Sequence, residues 1–396
     1  MASEPRLKSL RVLMLDAAAS SVPVTHNLAN HLAKLGCDVH VFTAPHWLRE
    51  LSGKHTNLYQ TKITFYRHTQ FRSYEARHRV ARQFWKWIRL IQHVAAMFAL
   101  CLQAPGFDLV HTQIFPVPLL DWAFLRVISW HTPVVCTVHE LIPHECRWRR
   151  INGLALRSLY RLASVVFVST EYTRNRLIHE LGICGRKIIS VRHGELEHLL
   201  EFRGAATDQQ DVPKILFIGA IRRDKGLDML IRAAGHLRQR IAAFKLQIAG
   251  TPGFDMTSIR NLITELGLGD VVQMQLGYIP EEQFAAYVAE ATVIALPYRR
   301  IEQSGVAIAA CTFGKAIVAT RCGGVEELVG AAGNGLLVPI DDSAAFGEAL
   351  EIVLTDNQKR KAFENRSRMY ARQALAWEPI AVRTVAAYRK ALTEFH

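Results

Sequence analysis

Short, continuous apolar runs alternate along this chain with longer segments of helical spacing. In the first half Leu10–Leu15, Asp38–Thr43, Asp108–His111, Pro133–Val138 and Ser164–Ser169 read as strands buried on both faces. Between them Val24–Leu35 has helical periodicity and is stopped by Gly36, and Tyr74–Leu102 reads as one long helix. The rhythm lapses at residues 199–213, LLEFRGAATDQQDVP, where Gly, Asp, Gln and Pro gather. It then restarts, with strands predicted at Lys214–Ile218, Lys245–Ile248, Val271–Leu276, Thr292–Leu296 and Ile317–Ala319. The tail from Lys359 to Phe395 is helical, with a break near Trp377-Glu378-Pro379.

Strands separated by helices form parallel sheets with right-handed crossovers. A chain of 396 residues exceeds one ordinary core. The expectation is therefore α/β, with two doubly wound domains over residues 1–198 and 213–377, joined by the 199–213 linker. In such folds ligands bind beyond the carboxyl ends of the strands, so a cleft between the domains is expected.

Composition narrows the class. Half of the residues are hydrophobic, which fits a globular core and not a disordered chain. The seven cysteines (37, 101, 136, 146, 184, 311 and 322) are scattered and lack metal-site spacing, as expected of reduced thiols. Residues 1–10 hold no apolar leader core, and the run Val94–Leu102 is too short to span a bilayer, so a cytoplasmic protein is expected. The net charge of +13 is lopsided. Residues 1–195 carry 25 Lys and Arg against 12 Asp and Glu, whereas the remainder balances at 23 each. The first half thus suits an anionic surface or substrate.

The loops at the strand ends exclude several chemistries. The loop after Asp16 has no G-x-G-x-x-G, which argues against a nicotinamide or flavin site. No P-loop motif and no D-x-D pair occurs, so neither a P-loop kinase nor a metal-held diphosphate is expected, and no metal site is assigned. The stretch PYRRIEQSGVAIAACTFGKAIVATRCGGVEE, 297–327, is the most informative. It reads strand end, polar loop, then a helix starting at Ser304-Gly305-Val306, whose first N–H groups can hold an anion. Upstream, ILFIGAIRRDKGLDMLIRAA puts Arg222 and Lys225 in a second strand–loop–helix unit, where they could neutralise a diphosphate.

These two units, with LGYIPEEQFAAYVAEATVIALP and NGLLVP, resemble the family-4 retaining glycosyltransferases and in particular a branch with QSGV. The likeness extends through PVVCTVHELIP and VVFVSTEYTRNRLI in the first half and AWEPIAVRTVAAYRKAL in the tail. It implies the GT-B fold, two facing Rossmann-like domains, with the helix at about 378–396 crossing back onto the acceptor-binding first domain. It implies a nucleotide-diphosphate sugar as donor, with UDP favoured over GDP, and no cofactor. Arg222 and Lys225 would face the leaving diphosphate together with Ser304, Gly305 and Val306. His139, followed by Glu140, would reach the donor sugar, Glu302 would orient that sugar, and Tyr278 would lie beside the base.

The family's paired acids are incomplete here. The second position falls on Ala309 or Ala310, and Glu327 is the substitute expected to meet the ribose. His111 and His193 are read as structural. Rival expectations are a silent nucleotide-sugar-binding partner and a GT-B epimerase. On the acceptor side, Arg72, Arg77, Arg79, Arg82, Lys86 and Arg89 interleave with Phe84, Trp85, Trp87, Ile88, Leu90 and Ile91, and Arg147, Trp148, Arg149 and Arg150 form a second cluster. The mixture suits a membrane interface, so a lipid-linked or carbohydrate acceptor near an anionic inner leaflet is expected, and no nucleic acid. An ordinary core face for that helix is the competing reading.

Overall fold

A computed structural model describes residues 9–19, 22–45, 58–66, 79–141, 149–202, 212–241 and 243–395. Arg72, Arg77, Arg147 and Trp148, the side chains of Arg79, Arg82, Arg149 and Arg150, and most of the expected linker lie outside the described residues. The chain divides into two compact units. One comprises Met1–Ser169, Thr173–Arg192 and Trp377–His396, and the other comprises Thr170–Tyr172 and His193–Ala376. Residues 193–198, assigned to the first domain by pattern, group with the second, and Leu199 lies in the second core.

The first unit is built on seven parallel strands: β1 (Arg11–Asp16), β2 (Asp38–Thr43), β3 (Gln60–Ile63), β4 (Leu109–Thr112), β5 (Val134–Val138), β6 (Val165–Val168) and β7 (Ile188–Ser190). Their order is β3-β2-β1-β4-β5-β6-β7. Its helices are α1 (Val22–Lys34), α2 (Arg79–Gln103), α3 (Pro118–Ile128), α4 (Arg149–Leu162), α5 (Glu171–His179, of which Glu171 and Tyr172 group with the second unit) and the C-terminal helix. Strands β1, β4, β5 and β6 are buried on both faces because helices cover both sides of the sheet.

The second unit holds β8 (Lys214–Ile218), β9 (Lys245–Gly250), β10 (Val272–Leu276), β11 (Val293–Leu296), β12 (Ala316–Thr320) and β13 (Gly335–Val338). The order is β10-β9-β8-β11-β12-β13, again parallel. Its helices are α6 (Leu227–Arg238), α7 (Thr257–Glu265), α8 (Glu281–Glu290), α9 (Gly305–Phe313), α10 (Gly323–Ala332), α11 (Ser343–Thr355) and α12 (Asn357–Ala374). The last helix, α13 (Trp377–Phe395), leaves this unit and packs with α1 in the first core through Trp377, Ile380, Ala381 and Tyr388.

The strand order reverses between β8 and β11. Successive strands run outward from β8 in one direction and from β11 in the other, so the loops at their carboxyl ends part and leave a crevice. The loop after β8 carries Arg222 and Lys225, and the loop after β11 carries Glu302 and Ser304. The topology therefore brings the two segments singled out in the sequence to one switch point of one sheet.

Candidate active site

Gly219 ends β8 with φ +115°, and a Cβ built there would lie 3.6 Å from Cγ2 of Val306. The β8 loop and the first turn of α9 thus lie within a methyl group's reach of each other. Gly226 closes the β8 loop in the left-handed region at φ +67°, and a Cβ there would collide with the Pro297 carbonyl. Only glycine permits this approach, which seats Lys225 against the β11 loop. The Lys225 ammonium lies 3.9 Å from the centre of the Tyr298 ring. Tyr298 is buried, which pushes its hydroxyl up to about 12, against the opposing effect of a hydrogen bond with Ser304. Tyr298 is thus a protonated strut between the cation and the helix cap. Its signal in the sequence is only its place in PYRR, beside two more conspicuous arginines.

Ser304 has an extended backbone, and its hydroxyl accepts from Ala307 N–H at 3.2 Å, an N-cap of helix α9. The preceding N–H groups, on Gly305 and Val306, have no carbonyl one turn earlier within the helix. The space where a Gly305 Cβ would stand is open to 4 Å. Backbone donors, the positive end of a helix and a nearby ammonium meet in one place, an arrangement suited to a phosphate or diphosphate.

Arg222 is placed differently from Lys225. Its Nε and Nη2 form a bidentate pair with the Asp224 carboxylate at 3.0 and 2.9 Å. It lines a groove of about 620 Å³ between α6 and α7, with Arg223 and Phe254, although its charge still bears on Tyr298. Arg299, to which no motif in the sequence points, staples the two loops together. It binds Asp228 bidentately, both contacts at 2.8 Å, reaches Asp341 at 2.6 Å and donates to the Arg223 carbonyl at 3.0 Å. The hydrogen-bonded Arg299 guanidinium holds Asp228 below the usual carboxylate range.

Glu302 is 3 % exposed, with Arg300 Nη2 at 3.6 Å from Oε1. Its backbone rests on the start of α10. A Cβ on Gly323 would collide with the Ile301 carbonyl, and one on Gly324 would collide with that of Glu302. The Gly-Gly of RCGGVEE therefore seats the acid-bearing loop. Glu327, the residue expected to meet the ribose, has backbone partners. Its Oε2 accepts from Glu171 N–H at 2.7 Å and Tyr172 N–H at 3.3 Å, which ties down a backbone segment. Ala309 and Ala310 are fully buried, so the helix face at the second acid's position is packed in the interior. Tyr278 follows Gly277, whose φ is +132°, and is 80 % exposed.

His139 lies just beyond β5 in the first unit, half-buried, with Nε2 3.2 Å from Gln113 Oε1. Behind it, His111 is fully buried. Its Nδ1 is 2.6 Å from the Tyr388 hydroxyl and its Nε2 is 2.8 Å from Thr137 Oγ1. Burial, then the neighbouring His139, lowers the His111 pKa to about 3. His193 bonds the Gly194 carbonyl at 2.8 Å and is likewise lowered by burial.

The fold and this anion-suited switch point define a class of two-unit, Rossmann-like proteins built to bind phosphorylated ligands. The sequence family described as Glycosyl transferases group 1 matches residues 201–370, and that described as Glycosyltransferase Family 4 matches residues 22–194. The chain belongs to this family of GT-B glycosyltransferases and is an enzyme of that kind. A D-inositol 3-phosphate glycosyltransferase of Kineococcus radiotolerans is 26 % identical, covering 96 % of this chain and 92 % of its own. Sucrose-phosphate synthase from Thermosynechococcus elongatus superposes with a TM-score of 0.74 at 22 % identity, covering 97 % of this chain and 100 % of its own. HepE of Anabaena, solved in complex with UDP and glucose, gives 0.68 at 16 %, covering 96 % and 99 %. These two structures share the fold.

Proposed function

We propose that this protein transfers a sugar from a nucleotide-diphosphate sugar, a UDP-sugar in preference to a GDP-sugar, with retention at the anomeric carbon and without a metal. The observation that carries the reading is the junction of Lys225, Tyr298, Ser304 and the open backbone of Gly305 at the β8/β11 switch point. As the glycosidic bond breaks, negative charge collects on the departing diphosphate. The Lys225 ammonium and the first N–H groups of α9 stabilise that charge, the largest effect available to such a site. Arg222, held by Asp224, adds its field from the flank of the loop. Glu302, buried and seated on Gly324, orients the sugar hydroxyls. The roles proposed for His139 and Tyr278 are contact with the donor sugar and with the base.

The relatives' names support a phosphorylated or sugar-like acceptor chemistry, and HepE, crystallised with UDP, supports the uridine donor. The acceptor proposed is a carbohydrate or a lipid-linked precursor, met in the cytoplasm at an anionic membrane surface. A thermal-shift panel of UDP, GDP and their sugars tests the donor, because ligand binding raises apparent stability by mass action. UDP-sugars should raise the melting temperature, and an unmoved midpoint with every nucleotide sugar defeats the proposal. Product stereochemistry, read by proton NMR of the new anomeric centre, tests retention.

A further inference from the structure

Helix α2 carries an uncovered apolar stripe. Val80, Phe84, Trp87, Ile91, Phe98 and Leu102 recur along it at helical spacing, and each is more than half exposed. The stripe runs about 33 Å along the helix. The opposite face of the same helix is core. His93, Met97 and Leu100 are fully buried, with His93 bonded to Asp121 of α3 at 2.7 Å and to the Tyr66 hydroxyl at 2.9 Å.

The surface continues onto the helices beside α2. Helix α2 packs on α3 and α3 on α4. Trp122 and Trp130 on or just beyond α3, and Leu154 on α4, are exposed as well. More than half of the exposed large apolar side chains among the described residues lie on this layer and its connections. Apart from one buried acid, the charges on the three helices have one sign. Helices α2 and α4 contain no acid, and the one acid of α3, Asp121, is buried against His93. Lys86 and the other cations of α2 sit in its first half, and the second half is uncharged.

We propose that the outer face of the α2–α3–α4 layer lies in the headgroup region of an anionic lipid bilayer, with α2 in the membrane plane. This rests on the membrane-near acceptor proposed above and names the surface that meets it. Charge selects the occupant. A second copy docked through the same helices would set cations against cations, with no exposed acid on those helices to answer them. Anionic headgroups complement the cations, while the acyl boundary accepts the aliphatic stripe and the tryptophans. Residues Gln83–Gly106 are long and apolar enough to span a bilayer. They do not span here because withdrawing α2 would strip His93 and Asp121 of each other and open the core.

The test uses the full chain with vesicles of phosphatidylcholine alone and with phosphatidylglycerol added, read by flotation and by tryptophan emission. Wild-type protein should float with the anionic vesicles, with a blue shift, and be released by salt. Lys86→Glu should weaken this about tenfold. The double variant Ile91→Glu/Phe98→Glu should abolish it while keeping the wild-type melting temperature and UDP-induced shift. If the double variant fails to fold, Lys86→Glu reads the same surface. Three outcomes overturn the proposal: wild-type protein that ignores anionic vesicles, variants that bind them as wild type does, or a concentration-dependent dimer that Ile91→Glu disperses. Loss of the UDP shift with vesicle binding intact would instead defeat the donor reading and leave this surface standing.

Discussion

Lys225 and Gly305 make opposite demands on their surroundings, and the pair separates binding from folding. Lys225 rests on the Tyr298 ring, a contact of modest strength when partly exposed. Lys225→Ala should therefore leave the melting temperature nearly unchanged and lower kcat about a hundredfold. Unchanged turnover would remove lysine from leaving-group stabilisation. A methyl group fits beside Gly305 without touching anything, and alanine is the better helix former. Gly305→Ala should fold at least as well as wild type yet bind UDP more weakly, as isothermal titration can measure. Equal affinity would show that nothing approaches that backbone closely. Gly305 is legible in the sequence as a helix start. That Arg222 is tied to Asp224 is not, because pairing within a loop depends on the turn the loop takes.

Among the elements, the starts of α6 and α10 depend on backbone geometry more than on side chains. Gly226 ends the β8 loop in the left-handed region against the Pro297 carbonyl. Gly226→Ala should cost at least about 1–2 kcal/mol from the backbone alone, and the clash adds to it, which chemical denaturation can read. Gly324→Ala would push on the Glu302 carbonyl and so displace the loop bearing the acid. It should reduce turnover by more than stability, measured as kcat beside the denaturation midpoint. Most strands are legible from apolar runs, and β2 and β8 fall on the predicted bounds. The edge strand β3, QTKI, is four residues long and polar at three of them, so no continuous run marks it. The break in the tail falls at residues 375–376, just before the predicted Trp377. There the chain leaves one core for the other.

For the whole molecule, buried histidines set the response to acid. His111 holds a pKa of about 3 in the fold, against about 6.5 when unfolded. Below pH 6.5 the unfolded chain gains a proton that the folded chain refuses. The contribution is complete above pH 6.5 and falls by about 1.4 kcal/mol per pH unit toward pH 3. His193 acts in the same direction. Glu195, pushed up to about 7 by burial and by Glu197, acts in the opposite one. Its contribution is complete below pH 4.5 and is lost as pH rises through about 7. Melting curves between about pH 3 and 4.5, below the range in which Glu195 opposes the histidines, should show stability rising with pH, and His111→Gln should flatten that slope. A slope the substitution leaves alone would mean that other groups govern acid unfolding.

Periodicity and loop chemistry are enough to place two α/β domains, the phosphate-suited helix start at Ser304 and the glycosyltransferase resemblance. These are local properties: apolar runs, glycines at sharp turns and a cap residue declare themselves within a few positions. The duties of particular charges are not local. Glu327 holds the backbone at residues 171–172, Arg299 joins loops more than seventy residues apart, and Ala309 and Ala310 fill the interior where a second acid is expected. The apolar residues of α2 also divide between core and surface only once α3 and the sheet cover one side of the helix. A side chain's partner across the fold is set by packing, and packing is not written in the spacing of one segment.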